Sequence, residues 1–421
     1  MNDDNASKRV FIKAAQWLFL LYLVIVPIVR PLHFRVRGIL IPYSDLVFVL
    51  VLSLWVIALF RREALFRFSK SYAVFGLYAF ALILSAAFSV DPLGSVVKLA
   101  GIGYLVALAI VTANFAADRS FADRMIYAWL VGSLIIAIGA VLGAVGFYLG
   151  YETPPSNYFL SHYGSLPEGA YPRVRSFFEN ANMMCNYLNV SVMMLAAAWS
   201  TRQLGHRLSL LLFGVILAAS LLTISPGLGG IALSVGIFLG VHLSRKGIRW
   251  PVLTAALLAA GAFASTLVSS DTANTSSQIS VGGITIEKSV RVLVWENALS
   301  RVGENPFFGR GVGTQAAEVR YRTVAGYDQV LQDAHNAWLN VLGEAGTVGL
   351  MAFAVLCWRL LSLCDFSGVD RYRLALSAAF VGAFLFQNLF GSFEDARHLW
   401  VLMGLMIAAS EFNRGDGGSV F

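Results

Sequence analysis

Residues 333–350 read DAHNAWLNVLGEAGTVGL, and the chain runs on as MAFAVLCWRLL through residue 361. The apolar run predicts a helix long enough to cross a bilayer, which takes about 20 residues. Yet it opens on His335 and Asn336 and carries Glu344 inside. Whether those groups are ordinary depends on the solvent around them. Of 421 residues 57% are hydrophobic and only 13% charged, against about 25% charged in a soluble domain. A water-soluble chain of this length could not cover its surface with so few charges. The composition is that of an integral membrane protein, in which each polar group at membrane depth needs a reason.

Working outward, apolar runs recur at about 14–29, 44–60, 71–89, 95–115, 125–149, 180–200, 208–223, 227–243, 250–268, 336–358, 374–392 and 397–412. They predict an all-α, polytopic fold of about twelve transmembrane helices, one membrane domain over residues 1–421. The N-terminal segment MNDDNASKRVFIK leads into the first run without an A-x-A-like cleavage site, so that run reads as an uncleaved span. With the N-terminus inside, Lys8, Arg9, Lys13, Arg61, Arg62, Arg67, Lys70, Arg119, Arg124, Arg207, Arg359 and Arg371 all fall in inner segments. The short outer loops at 89–95 and 224–229 hold no Lys or Arg. Both termini are therefore expected in the cytoplasm. The first outer loop departs from the pattern with Arg30, Arg35 and Arg37.

Two outer segments are long. The smaller, 150–179, is rich in Pro, Gly and Tyr; the larger, 269–334, opens on the polar SSDTANTSSQ. Within the larger, Val290, Leu293, Val294 and Leu299 share one face of a predicted amphipathic helix, which Pro306 and the glycines of FFGRGVGT terminate. That glycine run follows no βαβ unit, so turn chemistry is its reading rather than nucleotide binding. Cys185, Cys357 and Cys364 form no disulfide framework, and no D-x-D pair or His/Cys cluster suits a metal. No cofactor, no metal and no nucleic-acid partner is expected.

The residues that could carry chemistry gather at the outer side. Arg173 and Arg175 precede the sixth span and Arg291 heads the amphipathic helix. Guanidinium groups match phosphate oxygens bidentately and keep their charge; pairing with loop carboxylates or lipid headgroups is the plainer use. An imidazole such as that of His335 exchanges protons near neutral pH, although a single interfacial histidine is often only an anchor. Asn336 beside it suits either substrate orientation or helix capping. Asp333 and Asp395 read as caps or loop partners, and Lys98 as a side chain snorkelling outward. Glu344 lies nine residues past His335, on the order of 13 Å deeper and about half a turn around a straight helix. The two cannot form a catalytic pair on such a helix. Glu344 reads instead as a structural bond to a neighbour, with Gly343 and Gly346 permitting close approach.

The order of these features resembles the O-antigen ligase and polymerase superfamily. The resemblance is carried by Arg175, Phe178, Asn180 and Asn182 before a span; by Arg291, Trp295 and ENPFFGRGVGT in a large outer loop; and by His335, Asn336, Leu339, Glu344, Gly346 and Gly349 opening the next span. It implies a metal-independent, inverting glycosyltransferase of a bacterial inner membrane, with the long outer loops in the periplasm. The implied donor is an undecaprenyl-diphosphate-linked glycan, and membrane lipids are the other implied partner. The acceptor is a lipid A-core sugar in the ligases or a lipid-linked glycan in the polymerases. His335 would be the general base, Arg175, Arg291 and Arg173 the diphosphate ligands, and Asn336, Asn180 and Asn182 would orient substrate. Arg30, Arg35 and Arg37 would contact acceptor or phosphate, and this basic first loop favours a phosphorylated lipid A core, hence a ligase, with a polymerase as the alternative. One position departs from the pattern: the family often carries an arginine after Thr-x-Ser between the seventh and eighth spans, where this chain has Pro226. A transporter would instead gather ionisable groups at the midplane, in matched interrupted helices.

Overall fold

The structure, a computed structural model, describes residues 9–30, 32–36, 39–150, 160–163, 171–201, 204–243, 249–269, 278–281, 284–287, 290–314, 316–322, 328–331, 333–394 and 396–412. It is a helical membrane protein. The first half runs α1 (Val10–Ile25), β1 (His33–Val36), β2 (Ile39–Pro42), α2 (Tyr43–Phe60), α3 (Lys70–Ala87), α4 (Pro92–Ala116), α5 (Arg119–Tyr148), β3 (Leu160–Tyr163), β4 (Tyr171–Val174) and α6 (Ala181–Ser200). The second half runs α7 (His206–Leu221), α8 (Gly227–His242), α9 (Arg249–Ser269), β5 (Gln278–Val281), β6 (Ile284–Glu287), α10 (Val290–Val302), β7 (Val319–Arg322), β8 (Asp328–Leu331), α11 (Ala337–Ser362), α12 (Arg371–Ala379) and α13 (Arg397–Ile407). Among the described residues five helices, α2 to α5 and α11, are long and apolar enough to cross a membrane; α1, α7, α8 and the described part of α9 are apolar but shorter.

The outside of the bundle carries many large apolar side chains. On α3, Leu77, Phe80 and Ile83 are 45%, 57% and 53% exposed, while Tyr78, Ala81, Leu82 and Ser85 of the same helix are buried. A helix that is apolar all round suits a lipid surround, not water. In the interior, α13 packs on α4, α12 on α6, and α11 on α3.

The run 374–392, expected as one span, is not one α-helix. After α12 the chain widens into a π-helical segment, Phe380–Leu385, and then tightens into a 3-10 turn, Gln387–Leu389. Such a change of pitch displaces backbone carbonyls from their regular partners. Asn186 of α6 covers one of them, donating from Nδ2 to the Ala383 carbonyl at 2.7 Å.

Hydropathy gave no sign of the strands. The described residues include four antiparallel hairpins, β1–β2, β3–β4, β5–β6 and β7–β8, all in segments between helices. Helix α10 forms where the amphipathic pattern put it. Its inner face, however, is Val294 and Ala298, packed with Ala317 and Ala334, while Leu299 turns outward.

Helix α11 is interrupted. Gly346 adopts φ +64° and ψ −165°, outside the helical region. The carbonyls of Gly343 and Glu344 and the amides of Thr347 and Val348 consequently lack helical partners, and the glycine-rich segment supplies them. Arg310 N donates to Gly343 O (3.1 Å) and Gly311 N to Glu344 O (2.9 Å), while Thr347 N donates to Pro306 O (2.8 Å) and Val348 N to Phe307 O (3.2 Å). Ser85 Oγ of α3 adds a bond to Glu344 O at 2.8 Å. ENPFFGRG thus serves as turn chemistry in a specific sense: it completes a broken helix.

A Cβ at Gly346 would lie 2.3 Å from the Phe307 carbonyl oxygen, on a left-handed backbone. Such strain alone costs about 1–3 kcal/mol. Gly346→Ala should therefore lower the thermal midpoint of the detergent-purified protein or abolish its folded yield. Gly214→Ala, in open space on α7, should leave the midpoint unchanged or raise it. Equal midpoints for the two variants would refute this account of the break.

Candidate functional site

The turn before α11 is tightly determined. Asn336 caps the helix, its Oδ1 accepting from Trp338 N at 3.0 Å and Leu339 N at 3.1 Å, and its Nδ2 donates to Leu389 O at 3.2 Å. Asp333 Oδ1 accepts from the His335 amide at 2.8 Å and from Asn340 Nδ2. Trp295 Nε1 of α10 donates to the Ala334 carbonyl at 2.8 Å. His335 itself takes φ +47°, a left-handed conformation that side chains other than glycine rarely adopt. Its Nδ1 stands 3.7 Å from Asp333 Oδ2. The carboxylate thus sits on the Nδ1 side of the ring, leaving Nε2 as the nitrogen available to a ligand.

His335 lines a cavity of about 290 Å³ with three walls. One is the start of α6, with Asn180, Asn182, Met183 and Asn186; one is the Asp333–His335 turn; the third is the link into α13, with Gln387, Phe390, Gly391, Ser392, Ala396 and His398. Asn180 also caps α6, its Oδ1 accepting from Met183 N at 2.8 Å.

The sequence-predicted arginines divide. Arg173, at the end of β4, reaches the cavity wall: its Nη2 donates to Asn182 Oδ1 at 2.7 Å and its Nε to Thr223 O at 3.1 Å. Ser225 Oγ donates to the same Asn182 oxygen at 2.8 Å. Arg173 therefore lies against the Thr223–Ser225 turn that precedes Pro226. Arg175 is not among the described residues of the cavity lining. Its Nη1 donates to the Glu179 carbonyl at 3.4 Å, and the Glu179 side chain holds Arg30 through Nε at 2.8 Å and through Nη2. Burial, and then the charge of Arg30, hold Arg175 below the ordinary arginine value, with Glu179 opposing them. An arginine remains a cation despite such a shift. Arg291 belongs to α10, one turn before Trp295, but its side chain lies outside the described residues, as do the side chain of Arg35 and all of Arg37 and Asp395.

Glu344 is held much as expected, but by a loop instead of a helix: Oε2 accepts from Gly313 N at 2.9 Å. Lys98 does not snorkel. Its Nζ turns inward to Glu394 Oε2 at 2.8 Å, and Tyr78 donates to Glu394 Oε1 at 3.1 Å. Burying two charges is tolerable when they pair and hydrogen-bond, whereas an outward lysine would leave Glu394 uncompensated. Three residues later Arg397 pairs with Asp45 of α2, Nε to Oδ1 at 2.6 Å and Nη2 to Oδ2 at 2.5 Å. These two ion pairs brace the third wall of the cavity.

That wall was not read from the sequence. Its signal was the run SFEDARH, where Glu394, Asp395, Arg397 and His398 crowd a short link between two apolar runs. A second signal was the spacing of Asn182, Asn186 and Asn189, one polar stripe along an apolar helix.

Residues 208–354 match the family model described as O-antigen ligase. The match supports the O-antigen ligase and polymerase superfamily. None of the curated proteins matches the chain. The O-antigen ligase match runs from α7 into α11 and includes Arg291, His335 and Glu344, while Arg173, the α6 asparagines and the third wall lie outside it.

Removing one partner of a buried ion pair typically costs about 3–5 kcal/mol. Lys98→Met should destabilise the protein on that scale, and adding Glu394→Gln should recover part of the loss, as contacting partners are not additive. Denaturation of the single and double variants in detergent measures this; additive losses would show that the pair is not coupled.

Proposed function

We propose that the chain is an O-antigen ligase, a glycosyltransferase that moves a glycan from undecaprenyl diphosphate to a lipid A-core acceptor at the periplasmic face of a bacterial inner membrane. The single observation that supports this most is the setting of His335: a left-handed turn, a carboxylate on its Nδ1 side, and a polar cavity whose wall Arg173 holds. The family match agrees with the reading at the level of the superfamily. In this reading the chain is a single membrane domain of about twelve spans with both termini cytoplasmic, and the loops at 150–179 and 269–334 are periplasmic.

Transfer needs a base for the acceptor hydroxyl and charge for the departing diphosphate. The acceptor oxygen attacks the anomeric carbon while its proton passes to His335. The bond from that carbon to the diphosphate oxygen breaks, the configuration inverts, and undecaprenyl diphosphate leaves. Arg173, Arg175 and Arg291 hold the diphosphate, where fixed charges in a partly dry cleft act most strongly. Arg173, which lies against the Thr223–Ser225 turn, stands in for the family arginine absent at Pro226. Asn180 and Asn182 orient the sugar, Asn336 fixes the turn that presents His335, and Arg30, Arg35 and Arg37 favour a phosphorylated acceptor. No cofactor takes part.

The test is purified protein with a defined undecaprenyl-diphosphate glycan and both candidate acceptors. Glycan transfer to the lipid A core supports a ligase; elongation of the lipid-linked glycan supports a polymerase. Because a general base contributes about 10²–10⁴-fold, His335→Ala should lose turnover on that scale while donor binding survives, whereas Arg291→Ala should weaken donor binding. Near wild-type turnover in His335→Ala would remove the assignment of the base.

A further inference from the structure

The cavity holds a second imidazole. His398 is 4% exposed and lines the cavity together with His335. Its Nε2 is hydrogen-bonded to Asn186 Oδ1. Asn186 spends its own NH2 group on the Ala383 carbonyl, at 2.7 Å, in the π-helical segment. The amide oxygen is therefore the atom facing the ring, and an amide oxygen only accepts. His398 must carry its proton on Nε2. In a neutral imidazole Nδ1 is then the lone pair, and among the described residues it has no partner.

A chain of cause follows from helix to ligand. The π-helical segment displaces a carbonyl, the carbonyl orients Asn186, Asn186 sets the tautomer of His398, and the tautomer leaves an acceptor for the cavity. The same cavity is lined by groups that pair with hydroxyls, Asn180, Asn182, Gln387 and Ser392, and by Phe390. Amides and a hydroxyl together with an aromatic face suit a sugar ring, which is polar at its edges and apolar on its faces.

We propose that His398 is a substrate-contacting residue that accepts a hydrogen bond from a sugar hydroxyl through Nδ1, with Asn186 as its positioning residue. The proposal rests on the glycosyl-transfer reading above and adds a specificity contact distinct from the base, His335. A bond of this kind is worth up to roughly tenfold in affinity. Lost equally from ground and transition states, it raises KM and leaves kcat alone.

The His398 ring stands edge-on to the ring of Tyr187 of α6, so the experiment compares His398→Phe, which keeps a ring there, with His398→Gln, which can donate to Asn186 and still present an acceptor oxygen. KM and kcat are measured for the undecaprenyl-diphosphate glycan and the lipid A-core acceptor, each also in singly deoxygenated form. His398→Phe should raise KM for one of the two sugars about tenfold, with kcat and the shape of the pH profile unchanged. His398→Gln should restore most of that loss. In the wild type one deoxy sugar should show the same rise, a result that needs no variant to fold. If the wild type transfers glycan but KM responds neither to His398→Phe nor to any deoxy sugar, the inference fails alone. If kcat falls and the pH profile changes, His398 takes part in proton transfer and the inference is overturned. An inactive wild type removes the functional reading and this inference together.

Discussion

Four backbone groups of α11 lose their helical partners at Gly346 and regain partners on the chain between Pro306 and Gly311. Hydrocarbon offers no water to such groups, so a broken span survives only where protein replaces the missing bonds. The exchange has two results. It anchors the large segment before α11 to the membrane helices, through backbone atoms that no substitution short of proline removes. It also makes the first part of α11, Ala337–Ala345, a short piece whose direction is set by the loop rather than by the rest of the span. His335 sits at the free end of that piece.

Three stretches of irregular backbone lie at or near the cavity. His335 and Ile224 are left-handed without being glycine, the link before α13 passes from π to 3-10 pitch, and each irregularity is covered by a side chain at or near the cavity. Asp333 and Asn340 hold the first, and Arg173 bonds the Thr223 carbonyl beside the second. Asn186 serves the third. Strain of this kind persists only where surrounding bonds over-determine it, and it collects where a ligand needs groups in unusual places.

Much of this was legible in the sequence, and the rest was hidden for physical reasons. Hydropathy located the apolar helices because lipid selects side chains by a single property over some twenty positions. The amphipathic helix was visible as a period, though Ala298 took the place of Leu299, since a period fixes a face only to within a residue or so. His335, Asn180 and Asn182 were singled out separately and lie on one cavity. The break at Gly346 was not visible: a single glycine in a helical pattern is usually tolerated, and what decides is a partner segment some forty residues earlier in the chain. The inward turn of Lys98 depended on Glu394, nearly three hundred residues away. The hairpin strands are four residues each, with no pattern long enough to detect.

The ion pairs Asp45–Arg397 and Lys98–Glu394 join the first helices to the last link of the chain. Neither Asp45 nor Lys98, nor either of their partners, belongs to the stretch that matches the family model. Exchanging the N-terminal half alone would leave Arg397 and Glu394 without the charges that neutralise them, although the most recognisable motifs lie between the two ends.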